Sequence, residues 1–328
     1  MSDREGSRGT TVAVVYNPVR VDVPRVRAAV EARAADAGDI EVIWLETTPD
    51  DGGQGQARQA LESGAELILA AGGDGTVRAV AEALRDQDAT LGILPGGTGN
   101  LLARNIGLPY GSVEEACAVA FDGVTRRIDI GVATAEREDG ERTEHAFLVM
   151  AGMGIDARMI ATARPELKKR LGWVAYVESA FRALPRSKKV RVRFRIDGER
   201  ERTAHVSTIL FANCGTLPGN LELIPDSEVD DGLLDIAVLQ PTTVFGWLAI
   251  WRTITWENRV LRKSALGRRI IRFTNRAGRT RLSYLRGRIV TVRLDEPEPF
   301  ELDGDGFGDV VGLDLTVDPQ GLRVRVPR

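Results

Sequence analysis

The rhythm of apolar and polar positions changes once along this chain, near residue 124. Before that point two periods alternate. TVAVVYN (11–17) is a β-branched run and predicts a buried strand. Residues 23–37 place Val23, Val26, Val30 and Ala34 on one helical face. Strand-like IEVIWLE (40–46), AELILAA (65–71) and TLGILP (90–95) then alternate with helical patterns over 54–63, 76–86 and 112–121, and a short helix opens at LLARNIG. Strands alternating with helices predict parallel βαβ units, with helices on both faces of a sheet.

Beyond residue 124 period-two runs dominate: RRIDIGVAT, HAFLVMAG, KKVRVRFRID, AHVSTILFAN, LLDIAVLQ, RIVTVRL and LRVRVP, each read as one strand. Asp-Gly turn signals at 139–140, 197–198 and 231–232 separate them. Helical patterns interrupt at about 172–184 and 243–261. The expected fold is α/β plus β: a Rossmann-like α/β domain over 10–133, a mostly antiparallel β domain over 134–312, and a closing segment, 313–328, returning to the first domain.

The chain has 328 residues, enough for two cores, and a formal charge of −3, which excludes a general nucleic-acid binder. Cys117 and Cys214 lie far apart in apolar or Gly-flanked settings and read as reduced core thiols. The polar start MSDREGSRGT lacks the apolar stretch of a signal peptide, and no run of 18 or more apolar residues occurs. A cytoplasmic protein is expected.

Chemistry enters at the strand–helix junctions. Gly72-Gly73-Asp74-Gly75-Thr76 lies where a strand ends and a helix begins. Glycines there let backbone N–H groups approach a ligand, and the helix brings its positive end to the same place. That suits a polyphosphate. A carboxylate beside phosphates repels them unless a cation intervenes, so Asp74 suggests a magnesium nucleotide; a tight turn with Asp74 capping the helix is the plain alternative. Pro95-Gly96-Gly97-Thr98-Gly99-Asn100 forms a second such loop. Two loops at the carboxyl ends of neighbouring strands make a crevice. Neither contains GK[ST], and no GxGxxG follows the first strand, which ends in Asn17-Pro18.

YNP (16–18), GGDGT (72–76) and PGGTGN (95–100), with GMGIDA (152–157), PDSEVDDGLLDIAVL (225–239) and ELDGDGFG (301–308), resemble the bacterial diacylglycerol kinase and sphingosine kinase catalytic domain. The resemblance covers nearly the whole chain. It implies an α/β domain and a β-sandwich, with ATP in the cleft between them. It also implies ATP contacts at Asn17, Thr48, Gly72, Gly73, Asp74, Gly75, Thr76, Gly97 and Thr98. The family's small Ser-Gly turn after NP is replaced by Val19-Arg20. The turn at Glu228–Leu233 corresponds to a magnesium site built from the Asp231 carboxylate and the carbonyls of Glu228 and Leu233. Asp305 stands where the family carries a glutamate as general base on the lipid hydroxyl, with Asp74 as the second candidate. Gly304, Gly306 and Gly308 are expected to give that segment freedom to move. The implied reaction transfers the γ-phosphoryl group of ATP to a lipid hydroxyl, diacylglycerol first, a sphingoid base or other lipid alcohol as alternatives. A non-catalytic nucleotide- or lipid-binding regulator is the reading from a different class.

A lipid acceptor requires a membrane surface. Trp247, Trp251 and Trp256 precede a basic run reaching Arg293, with Glu257 the single acid between. Tryptophan with a basic flank suits an anionic interface; a helix burying its tryptophans is the alternative. The strand 189–195 alternates Lys or Arg with Val or Phe, and reads as a cationic face or an exposed edge. The expected partners are a lipid at the membrane surface and no nucleic acid, and a homodimer is allowed.

Overall fold

The computed structural model describes residues 10–97, 99–154, 189–217, 221–224, 227–240 and 282–328. The chain divides into two compact units, 1–128 with 321–328, and 129–320.

In the first unit, β1 (Thr10–Tyr16), β2 (Ile40–Glu46), β3 (Leu67–Gly72) and β4 (Thr90–Pro95) form a parallel sheet in the order β4-β3-β1-β2. The helices are α1 (Val23–Ala37), α2 (Gln54–Glu62), α3 (Asp74–Leu84), α4 (Leu101–Asn105) and α5 (Val113–Asp122). Val12 and Val14 join a core with Val26 and Val30 of α1 and Ala116, Cys117 and Ala120 of α5. Ala13 and Val15 are equally buried on the opposite face, where α2 and α3 pack. Burial on both faces is why these strands read as unbroken apolar runs. The segment 321–328 adds a strand end beside β4, with Val324 opposite Leu91. Arg325 and Arg328 anchor it by donating to the carbonyls of Gly123 and Asp122.

The second unit is antiparallel and β-rich. Its strands are β5 (Val124–Glu136, from Asp129 on), β6 (Arg142–Phe147), β7 (Met150–Gly154), β8 (Val190–Ile196), β9 (Arg202–Val206), β10 (Thr208–Ala212), β11 (Thr216–Leu217), β12 (Leu221–Glu222), β13 (Leu234–Leu239), β14 (Leu282–Gly287), β15 (Ile289–Leu302) and β16 (Asp305–Val326, up to Gln320). Neighbours run β14-β13-β10-β7-β15-β16, with β8–β9 beside β15 and β5–β6 beside β16. Bulges after Arg293 and Pro299 let the first half of β15 pair with β8 and its end pair with β7. Phe147, Phe211 and Phe300 fill the core.

Three strand expectations are corrected. HAFLVMAG is two strands, because Leu148 and Val149 turn their amides to Asp303 and their carbonyls to Asn213. AHVSTILFAN breaks at Ser207, whose N–H goes to Leu239. The 189–195 segment alternates as expected, with Val190, Val192 and Phe194 buried, yet it is no edge: β8 has β9 on one side and β15 on the other. The helical patterns at 172–184 and 243–261, with Trp247, Trp251 and Trp256, and Asp156 of the GMGIDA motif, lie outside the described residues. Both cysteines are free and buried.

Candidate active site

The loops after β1, β3 and β4 are stitched together. Gly96 N donates to Gly72 O at 2.7 Å, and Asn17 N donates to Ala71 O at 2.9 Å. Val21, in the loop that Asn17 starts, fills the space where a side chain on Gly96 would stand. A Cβ on Gly97 would lie 3.0 Å from the Gly73 Cα, so the two loops touch backbone to backbone. Asn17 builds its own loop. Its carbonyl accepts from Arg20 N and Val21 N, and its Oδ1 accepts from Val19 N at 3.1 Å. Arg20 is exposed at that turn.

Asp74 connects the two glycine loops. Its Oδ2 accepts from Asn100 N at 3.0 Å and its Oδ1 from Leu101 N at 2.5 Å. Two amides of the neighbouring loop therefore partner a carboxylate for which the sequence suggested a cation or a cap on its own helix. A carboxylate accepts along several lone-pair directions, so these two amide bonds are compatible with a magnesium ion or its water on a nucleotide. Those same bonds occupy the amides of Asn100 and Leu101, where α4 opens. At α3 the first helical bond runs from Val77 N to Gly73 O. The amides of Asp74, Gly75 and Thr76 thus precede it at the positive end of the helix, where an anion is favoured. Thr76 is buried beneath Gly72, and Gly73 is the N-cap.

Sequence reasoning quoted Asn100 but gave it no task, and overlooked Arg104. Asn100 takes the left-handed conformation, φ 47°, which its short amide tolerates. Its side chain bridges Gly97 in both directions, at 3.2 and 2.8 Å. Arg104 Nε donates to Gly99 O at 2.7 Å while its guanidinium lies 3.9 Å from the Tyr110 ring centre. Thr98 lies outside the described residues. Thr48 sits on the loop after β2 and accepts from Asp51 N at 3.1 Å. The structure thus brings Asn17, Gly72, Gly73, Asp74, Gly75, Thr76 and Gly97 together, with Thr48 on the loop of the adjacent strand.

In the second unit, Asp231 heads the turn before β13. Its Oδ1 accepts from Leu233 N at 3.0 Å, and its Oδ2 lies 3.4 Å from Arg286 Nη1. Arg286 also pairs with Asp235 at 2.5 Å. Fully buried Asp129 accepts from Gly232 N at 2.6 Å and Gln320 N at 2.8 Å. Burial raises the Asp231 pKa, and the charges of Asp235 and Asp129 add to the effect; Leu233 N and Arg286 oppose it. An extra cation would relieve this crowding of carboxylates. Asp231 with the carbonyls of Glu228 and Leu233 is an all-oxygen donor set that fits magnesium, with Arg286 competing for one carboxylate oxygen.

Asp305 is exposed at the start of β16, paired with Leu302. Asp303 (φ 48°) and Gly304 (φ 87°) form the two-residue turn between β15 and β16. The segment is a paired hairpin: Gly306 pairs with Glu301 inside the ladder, while Gly304 lies in the turn and Gly308 in a bulge, both at positive φ. The adjacent Asp303, passed over in the sequence, is buried and accepts three backbone N–H bonds from Leu148, Val149 and Met150.

Residues 11–133 match the family model described as diacylglycerol kinase catalytic domain, and residues 149–263 match the YegS C-terminal NAD kinase beta sandwich-like domain. A Pseudomonas fluorescens protein described as "Probable lipid kinase YegS-like" is 32% identical over 311 residues, covering 92% of this chain and 90% of its own. A Bacillus subtilis diacylglycerol kinase is 29% identical over 241 residues, 72% of this chain and 76% of its own. In fold, the chain is similar to the crystal structure of a diacylglycerol kinase from Bacillus anthracis str. Sterne, with a TM-score of 0.71 at 20% identity over 98% of each chain. It is also similar to a yeast NADH kinase, with a TM-score of 0.55 at 10% identity over 98% of this chain and 84% of the other.

Proposed function

The chain belongs to the diacylglycerol kinase family of lipid kinases, and from that premise we propose that it transfers the γ-phosphoryl group of ATP to the hydroxyl of diacylglycerol, giving phosphatidic acid. The observation that carries the nucleotide half of this reading is the stitched pair of glycine loops. It holds the amide-bearing start of α3 in place, at the carboxyl ends of β3 and β4. Polyphosphate oxygens would meet the amides of Asp74, Gly75 and Thr76, while Asn17, Thr48, Gly72, Gly73, Gly97 and Thr98 would frame the nucleotide. Asp74, already held by Asn100 N and Leu101 N, would face the cation carried by the nucleotide. Asp305 would take the proton of the lipid hydroxyl as the new O–P bond forms and the bond to ADP breaks. Asp231, Glu228 and Leu233 would hold a structural magnesium ion. Magnesium, when bound to the nucleotide, supplies positive charge for the phosphoryl oxygens.

Among the described residues no helix is long and apolar enough to cross a membrane. The acceptor would be met at an anionic bilayer surface through the tryptophan-bearing segment after residue 243 and its basic flank. The test is incubation with γ-labelled ATP and vesicles containing, in separate samples, diacylglycerol, a sphingoid base and other lipid alcohols. Label in phosphatidic acid is the expected result. Label only in another lipid changes the acceptor, and label in none removes the kinase reading.

A further inference from the structure

Resting on the reading of Asp305 as proton acceptor, we propose that Asp303 and Arg137 are positioning residues that hold Asp305 in place from either side. Asp303 and Asp305 stand two residues apart in one hairpin, in opposite surroundings. Asp303 is 6% exposed. Its Oδ2 accepts from Leu148 N at 2.8 Å, and its Oδ1 from Val149 N at 2.8 Å and Met150 N at 2.9 Å. Its own N–H donates to Met150 O at 2.8 Å. A buried carboxylate facing three successive amides is a fixed anchor, and it fixes the turn from which β16 departs.

The second clamp lies on the other side of Asp305. β15 and β16 pair at Glu301 with Gly306 and at Pro299 with Asp309, so Phe307 and Gly308 together oppose Phe300 in a bulge. Pro299 has no N–H to give Asp309. Arg137 donates on this side of the bulge: Nη1 to Asp309 O at 2.6 Å and Nη2 to Phe307 O at 2.5 Å. Arg137 is itself fixed in the β5–β6 turn, its N–H donating to Glu141 O at 2.8 Å and its carbonyl accepting from Gly140 N at 3.0 Å. The Phe307 ring rests against His145, 4.8 Å between centres, and Phe300, 6.5 Å. Asp305 therefore sits midway between an anchored residue 303 and an anchored residue 307, with its own side chain exposed. A general base acts only within hydrogen-bond reach of its proton. An aspartate, one methylene shorter than glutamate, has less reach with which to correct a misplaced backbone.

The experiment sets Arg137→Met, Arg137→Lys and Asp303→Asn beside Asp305→Asn, and combines Arg137→Met with Asp305→Asn. For each variant kcat for diacylglycerol phosphorylation, KM for ATP and the melting temperature are measured. Arg137→Met is expected to lower kcat by about 10- to 100-fold through misplacement of the base, with KM for ATP unchanged. Arg137→Lys, which keeps one donor, recovers part of the loss. In the Asp305→Asn background Arg137→Met costs nothing further, because the group it positions is already disabled. Should Asp303→Asn fail to fold, the Arg137 variants decide alone. Full kcat in Arg137→Met overturns the proposal, as does an equal fold-loss in both backgrounds, the mark of a purely structural role. Wild-type turnover in Asp305→Asn is a separate result: it removes the reading of the base, and the positioning role with it.

Discussion

Asp74 directs both carboxylate oxygens at the backbone of a neighbouring loop. Hydrogen bonds to a charged group contribute about 1.5–3 kcal/mol each, so losing both releases Asn100 and Leu101 as well as the metal-facing charge. Asp74→Ala is expected to lower kcat/KM for ATP by at least about 100-fold with an unchanged circular dichroism spectrum; unaltered ATP kinetics would remove this loop from the site. The glycines give a directional test. A Cβ at Gly97 meets the Gly73 Cα at 3.0 Å, whereas one at Gly73 meets the Gly97 Cα at 3.9 Å, an ordinary contact. Gly97→Ala should destabilise by about 1–3 kcal/mol and Gly73→Ala by much less, as thermal melts of the two proteins would show. Asp74 was legible in the sequence because glycine spacing is a local signal. Its partners were not, since Asn100 and Leu101 lie a full strand and loop away. The same limit hid Asp303: from sequence two aspartates flank a glycine, and only the fold turns one inward.

At the scale of elements, the βαβ half followed closely from periodicity. The bounds of α1 and β2 coincide with the pattern, and Asp22 caps α1 by accepting from Arg25 N. The β half was less legible, because its strands stop where side chains capture the backbone, at Leu148-Val149 through Asp303 and Asn213. Between helices, Arg25 of α1 and Glu114 of α5 form a two-bond pair at 2.7 and 2.8 Å. The hydrogen bond from Arg25 is the largest cause holding the Glu114 pKa down to about 2. A carboxylate depressed by folding stabilises the fold above its ordinary pKa, and that contribution fades as pH falls toward about 2. Both side chains are more than half exposed, so the effect is small and salt erodes it. Wild type and Glu114→Gln, melted at low salt, should differ most above pH 5 and converge near pH 2; a gap that widens with acid would contradict the pairing.

For the whole molecule, the chain crosses between its compact units at 128/129 and 320/321, and Asp129 accepts from the amide of Gln320 at 2.8 Å and from that of Gly232 in the Asp231 turn at 2.6 Å. Magnesium bound at Asp231 should therefore register as stability of the second unit. Adding a chelator is expected to lower the melting temperature of the wild type and leave Asp231→Asn, already lowered, unmoved. Equal melts in all four samples would make the turn only a turn. The general lipid-kinase reading was visible in three loop motifs, while the acceptor depends on surfaces that local patterns do not specify. The most direct measurement is phosphoryl transfer from ATP to vesicle-borne diacylglycerol by wild type and Asp305→Asn, with ATP binding followed in parallel. The account predicts phosphatidic acid from the wild type, and a rate lower by roughly 10²- to 10⁴-fold in Asp305→Asn at unchanged ATP affinity. Near-full turnover in Asp305→Asn, or loss of ATP binding in its place, would contradict it.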